Sequence, residues 1–219
     1  MTTIANNYTW AQHLSLDLNG IGRRISTGIA WFKNLNMPLE ENRIFLFVDL
    51  NNSTSLAERM GNVRYSMFLS SFFRDFRLCL RKTTGKIYQY VGDEIVVSWP
   101  NSRKNLLESI QLVSKFQQAL NELKHIYQRK FNFIPEFKAA LHQGKVAVTR
   151  VGFQKVYRGD ILNTCARMLE LASRLKLALV TSCVIAEYVK KEMDYCINPI
   201  EGVAIRGKAK PMDIYAILK

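Results

Sequence analysis

Two carboxylates in this chain could do chemistry together, and one of them stands where a carboxylate is costly to keep. Asp49 closes Ile44-Phe45-Leu46-Phe47-Val48, a run apolar on both faces, as in a buried central strand. A charged group at the end of such a strand calls for an ion pair, a metal or a capping role, and the helix expected a few residues on leaves capping open. Asp93 lies at the tip of Val91-Gly92-Asp93-Glu94, between β-rich runs at 86–91 and 94–99, where Gly-Asp is also ordinary turn chemistry. A strand, a helix and a hairpin that returns to pair with the first strand would set Asp93 beside Asp49. Two adjacent carboxylates with few other ligands suit Mg2+ or Mn2+ held jointly with substrate phosphates. The loop Asn51-Asn52-Ser53-Thr54 would open the following helix and present backbone N–H groups to those phosphates. Further on, Asn163 and Arg167 lie four apart in a helix capped by Asp160, so they share a face. An amide and a guanidinium there can orient a ribose and neutralise charge developing on a phosphoryl group, although polar residues near a helix start also serve as plain solvated surface.

The elements that would position these groups follow from hydrophobic periodicity. Residues 1–42 alternate short apolar clusters with turn formers and read as an N-terminal appendage with one helix around 22–34, ahead of a domain spanning 43–219. Leu56, Met60, Phe68, Phe72, Phe76 and Leu80 predict one helix from residue 53 to about 82, and Leu106 to Tyr127 a second, long amphipathic one. Residues 137–141 and 145–151 alternate as two strands of a hairpin turning at Gln143-Gly144. A helix over 160–174, a strand at 177–181, a helix capped by Ser182 and short strands at 202–205 and 212–218 complete an α+β sandwich, a mixed sheet with helices packed on it.

Composition narrows the setting. At 219 residues, with 48% hydrophobic and 22% charged, one globular domain can bury a sizeable core. The longest apolar run falls far short of the roughly 20 residues of a membrane span, and no secretory signal is visible. Cys79, Cys165, Cys183 and Cys196 show no paired spacing and read as small apolar side chains in a reduced interior, so a cytoplasmic location is expected. The net charge of +13 raises nucleic acid as a partner, but the basic residues are spread without a dense run, and a basic surface equally steers a polyanionic nucleotide. No stable nucleic-acid partner is expected.

These segments resemble a known family. Phe47-Val48-Asp49-Leu50 followed by Thr54-Ser55-Leu56 resembles the first metal motif of class III adenylate and guanylate cyclases, and Val91-Gly92-Asp93-Glu94 their second. Gly159, Asn163 and Arg167 match the spacing of the family's transition-state helix, and His142 and Gly144 its His-x-Gly strand end. Ile205-Arg206-Gly207-Lys208 resembles its late basic motif. The resemblance covers about residues 43–218, with five motifs in order. It implies a mainly antiparallel sheet flanked by helices on a ferredoxin-like core, and a head-to-tail homodimer with shared sites. Two divalent cations would be held by Asp49, Asp93 and the Leu50 carbonyl of one subunit. Asn163 and Arg167 would come from the other, and Lys208 would hold the leaving pyrophosphate. The substrate would be a nucleoside triphosphate, the product its 3′,5′-cyclic monophosphate.

The chain departs from the family at the base pocket. Adenylate cyclases carry Lys, and guanylate cyclases Glu, where this chain has Gln89; the second base-reading position, Asp, Thr or Cys in those enzymes, is Val156. Neither purine specificity is written there. On a domain of this size the combination looks like the uridylate and cytidylate cyclases of bacterial anti-phage defence, which make cyclic UMP or cyclic CMP to activate an effector. The Tyr88-Gln89-Tyr90-Val91-Gly92-Asp93-Glu94 hairpin also resembles that of bacterial cyclases labelled adenylate cyclases, so ATP is the alternative substrate, and a degenerate nucleotide sensor a third reading. Diguanylate cyclases, which share a turn aspartate, need a Gly-Gly-Asp/Glu-Glu-Phe tip that Val91 and Ile95 break.

Overall fold

The structure, a computed structural model, describes residues 38–193, 195–204, 208 and 210–218. The expected helix at 22–34 and most of the late basic motif lie outside these residues. Strand β1 (Leu39–Leu50) is the central strand that its two apolar faces require, hydrogen-bonded on one side to β3 (Glu94–Pro100) and on the other to β4 (Phe137–Val151). It begins at Leu39, before the apolar run itself. The sheet order is β2-β3-β1-β4-β6-β8-β7, with β2 at Lys86–Val91, β6 at Leu179–Ser182, β7 at Cys196–Val203 and β8 at Met212–Leu218; β5 (Gln154–Arg158) pairs with β4. Among the described strands only β4 and β6 run parallel. The first four strands, with their intervening helices, have the order and directions of a ferredoxin-like βαββαβ unit, so the expected α+β architecture holds.

Alternation along β1 builds two cores. Ile44, Leu46, Val48 and Leu50 face α2 (Asn62–Leu80) and α3 (Arg103–Phe131), where Phe68, Phe72, Phe76 and Phe116 are fully buried, each ring contributing about 2 kcal/mol. Phe45 and Phe47 face the other way, against Ile161, Cys165, Met168 and Ala172 of α4 (Asp160–Leu175). The last helix, α5 (Cys183–Glu192), adds Ile185 and Val189 to the first core.

Several expectations need correction. The helix expected over 53–82 is two, α1 (Ser53–Met60) and α2, because Gly61 takes φ 74°, a conformation that interrupts helical hydrogen bonding and that glycine reaches without strain. The hairpin expected at Gln143-Gly144 does not exist. β4 runs unbroken past it, because β1 offers a matching strand from Leu39↔Val148 to Leu50↔Phe137. Gly144 lies under α4, where a Cβ would make ordinary contact with Ile161 at 3.4 Å. The turn comes at Gly152, φ 60°, and β5 folds back from it. Gly159, not Asp160, occupies the N-cap position of α4, and Ser182 holds that position on α5 without a side-chain capping bond. β7 starts at Cys196, earlier than the strand expected at 202, and of the four cysteines only Cys165 is buried.

Candidate active site

The register of β1 places the first cluster. Val48 pairs with Ile95 of β3, so the β2–β3 turn, with Gly92 at φ 62°, brings Asp93 against Asp49. On the other side Asp49 faces Lys138 of β4 directly. Lys138 Nζ lies 2.6 Å from Asp49 Oδ2 and donates to the Leu50 carbonyl at 3.4 Å, with the lysine side chain only 11% exposed. Burial raises the Asp49 carboxyl above the usual carboxylate range; the Lys138 ammonium opposes this and Asp93 adds to it. Beside them, Glu94 is pushed up to about 7, first by burial and then by the Asp49 and Asp93 charges. Asp93 Oδ2 is buried without a hydrogen-bond partner.

A helix start completes this cluster. Asn52 takes the left-handed conformation, φ 58°, and its carbonyl accepts the first intrahelical bond, from the Leu56 N–H at 3.0 Å. The amides of Ser53 and Thr54 precede that bond and sit at the positive end of α1. The Asn51 N–H, in contrast, is committed to the Glu136 carbonyl at 2.9 Å. The Tyr65 phenol, raised by burial and then by Asp93, lies beside Ser53.

The second cluster is at the head of α4. Asn163 is exposed and Arg167 half-buried, both outside the stripe of Ile161, Thr164, Cys165 and Met168 that packs on the sheet. Arg167 is ion-paired with Glu170. Lys208 is ion-paired with Asp160, in the first turn of α4, and that bond holds the Asp160 carboxyl below its ordinary range. His142, mid-strand in β4 and not at a strand end, is lowered to about 4 by burial and by Lys208, with Nδ1 buried and unpartnered.

Gln89 and Val156 meet in a third place, a cavity of about 1100 Å3 between β2 and β5. Its floor includes Arg43, which donates to Ser98 Oγ at 3.0 Å and lies 4.8 Å from the centre of the Tyr157 ring, and Tyr88, whose hydroxyl accepts the Tyr157 N–H at 3.2 Å. Asp49, Asp93, Asn163, Arg167 and Lys208 do not line it.

The first cluster suits a divalent cation. Asp49 and Asp93 lie together, the Leu50 carbonyl meets Asp49 through Lys138, one carboxylate oxygen is buried with no donor, and burial first, then the neighbouring carboxylates, raises Asp49 and Glu94. Among the described residues no three His, Cys, Asp or Glu side chains group as a metal cage. A pair of carboxylates is the usual protein share of a Mg2+ site that substrate oxygens complete. Sequence reasoning missed Lys138, Glu94 and Tyr65. Lys138 sits 88 residues of chain from Leu50, and only strand register reveals it.

Residues 36–219 match the family described as the adenylate and guanylate cyclase catalytic domain. The chain belongs to that family. It is 28% identical over 184 residues to adenylate cyclase 2 of Rhizobium meliloti, covering 82% of this chain but only 51% of that protein, so it spans about half of that relative. Among solved structures, the adenylyl cyclase CyaB from P. aeruginosa superposes with a TM-score of 0.72 at 16% identity, covering 83% of this chain and 96% of that one. The guanylyl cyclase Cya2 gives 0.72 at 18%, covering 83% and 93%. These likenesses establish the class III cyclase fold, a family that works with divalent metal ions. No described helix is long and apolar enough to cross a membrane.

Proposed function

We propose that this chain is an active nucleotide cyclase, and the observation that carries the reading is the meeting of Asp49 with Asp93, whose Oδ2 is buried and unpartnered, beside the Leu50 carbonyl that Lys138 joins to Asp49. Two divalent cations bound there would supply Lewis-acid polarisation of the α-phosphate and lower the pKa of the ribose 3′-hydroxyl. The chain's own groups do the positioning. The amides of Asn52, Ser53 and Thr54 face the phosphates from the head of α1. In a head-to-tail homodimer, Asn163 of the second copy orients the ribose, and its Arg167 neutralises charge building on the α-phosphate as the 3′-oxygen attacks in line. The bond to pyrophosphate breaks, the 3′-proton leaves to solvent, and Lys208 holds the leaving group. Arg167 and Lys208 exchange their Glu170 and Asp160 partners for phosphate oxygens.

The base is a pyrimidine in this reading, UTP or CTP. Gln89 and Val156 line one cavity, where Val156 offers no hydrogen bond and Gln89 both donates and accepts. The product, cyclic UMP or cyclic CMP, would serve as a cytoplasmic messenger for an anti-phage effector. ATP is the second reading, favoured by the adenylate cyclase named among the relatives. Incubation with all four ribonucleoside triphosphates and Mn2+, followed by mass spectrometry, separates them: a cyclic pyrimidine is expected, cyclic AMP selects the second reading, and bound nucleotide without any product contradicts both. Asp49→Asn and Asp93→Asn should each cost on the order of 3 kcal/mol of transition-state stabilisation.

A further inference from the structure

We infer that Lys138 is a resident cation of the metal site, holding the oxygens of Asp49 and Leu50 so that a divalent ion enters only by displacing it. The inference rests on the assignment of those two residues as ion ligands. Lys138 and Asp49 are direct partners across β4 and β1, so the backbone itself sets the ammonium against the carboxylate. The ammonium contacts both assigned ligand groups at once, Asp49 Oδ2 at 2.6 Å and the Leu50 carbonyl at 3.4 Å. The lysine is buried, which restricts its alternatives.

A divalent ion bound to Asp49 and an ammonium in hydrogen-bond contact with the same carboxylate would repel strongly at low local dielectric, so the two exclude one another. Three acids crowd this point, Asp49, Asp93 and Glu94, and among the described residues Lys138 is the cation that meets them. Without nucleotide, one ammonium offsets part of that charge and the ion gains little. A triphosphate adds negative charge at the same place and tips the exchange towards the ion. Ion and nucleotide therefore bind as coupled partners, each raising the affinity of the other. A pair formed about nine-tenths of the time weakens apparent ion affinity about tenfold, since the apparent constant scales with the competent fraction.

The test is Mn2+ binding to the full chain without nucleotide, read from loss of the free-ion electron paramagnetic resonance signal. Lys138→Met, which keeps the aliphatic stem, should bind Mn2+ about tenfold or more tightly than the parent. Lys138→Arg, which keeps the charge, should not. Lys138→Gln repeats the measurement if the methionine variant folds poorly, and melting in EDTA checks folding for all three. Unchanged or weaker binding in folded Lys138→Met or Lys138→Gln, with binding abolished by Asp49→Asn, overturns the resident-cation role and leaves the ion site standing. Binding that survives Asp49→Asn in the Lys138→Met background overturns the ion-site assignment itself.

Discussion

His142 gives the protein an acid sensitivity whose size can be worked out. The imidazole is held to about 4, against an ordinary value near 6.5, by burial and by the Lys208 ammonium, with Asp160 opposing. Below about pH 6.5 the unfolded chain binds a proton that the folded chain refuses until about pH 4, so stability is full above that window and falls as pH drops through it. The complete effect is about 3 kcal/mol, and about 2 kcal/mol of it should be lost between about pH 7.5 and pH 5. Glu94 works the other way: its raised value means the folded state takes a proton before the unfolded one, which favours folding as pH falls through about 7. The comparison must therefore be between variants. His142→Phe, which fills the same strand position without titrating, should abolish the His142 share, narrowing the loss of stability in urea titrations by about 2 kcal/mol over that interval. Parallel losses in the parent and His142→Phe would refute the argument that burial keeps this histidine neutral.

Two further outcomes follow from packing and from the cavity. A Cβ on Gly85 would lie 2.3 Å from the fully buried Trp99 ring, so Gly85→Ala should destabilise by about 1–3 kcal/mol, measured by urea titration. Because Gly85 adjoins Thr84 and Lys86 of the Gln89 cavity, that variant should also raise KM. Joint replacement Gln89→Lys with Val156→Asp restores the pair that adenylate cyclases carry and should shift the product ratio towards cyclic AMP by tenfold or more, about 1.4 kcal/mol, in competition assays; an unchanged ratio would mean the base is read elsewhere.

The parts of this molecule written locally were legible from its sequence. Residues 44–48 are apolar on both faces and lie in the centre of the sheet, and the Gly92-Asp93 turn fell where its chemistry demanded. Gln143-Gly144 misled, because a polar-glycine pair mid-pattern carries the same local signal as a hairpin; whether the chain turns there depends on the length of the partner strand, β1. Gly61 misled the other way, since apolar spacing continues across it while the backbone does not. Asp49 and Asp93 could be paired on topology alone. Lys138 could not, because a lysine after a phenylalanine in a strand has no distinguishing neighbour, and only the β1–β4 register sets it on Asp49. Arg43 and Tyr157 of the cavity floor are likewise joined by pairing between distant strands.

In the proposed head-to-tail homodimer each site is divided between two chains. Co-expression of an Asp93→Asn chain and an Arg167→Ala chain under different tags, with purification through both, yields a dimer in which one site carries both lesions and the other none. That heterodimer should keep about half the turnover of the unmodified dimer, while each parent variant alone stays near background. A doubly purified heterodimer as inactive as its parents would contradict that division.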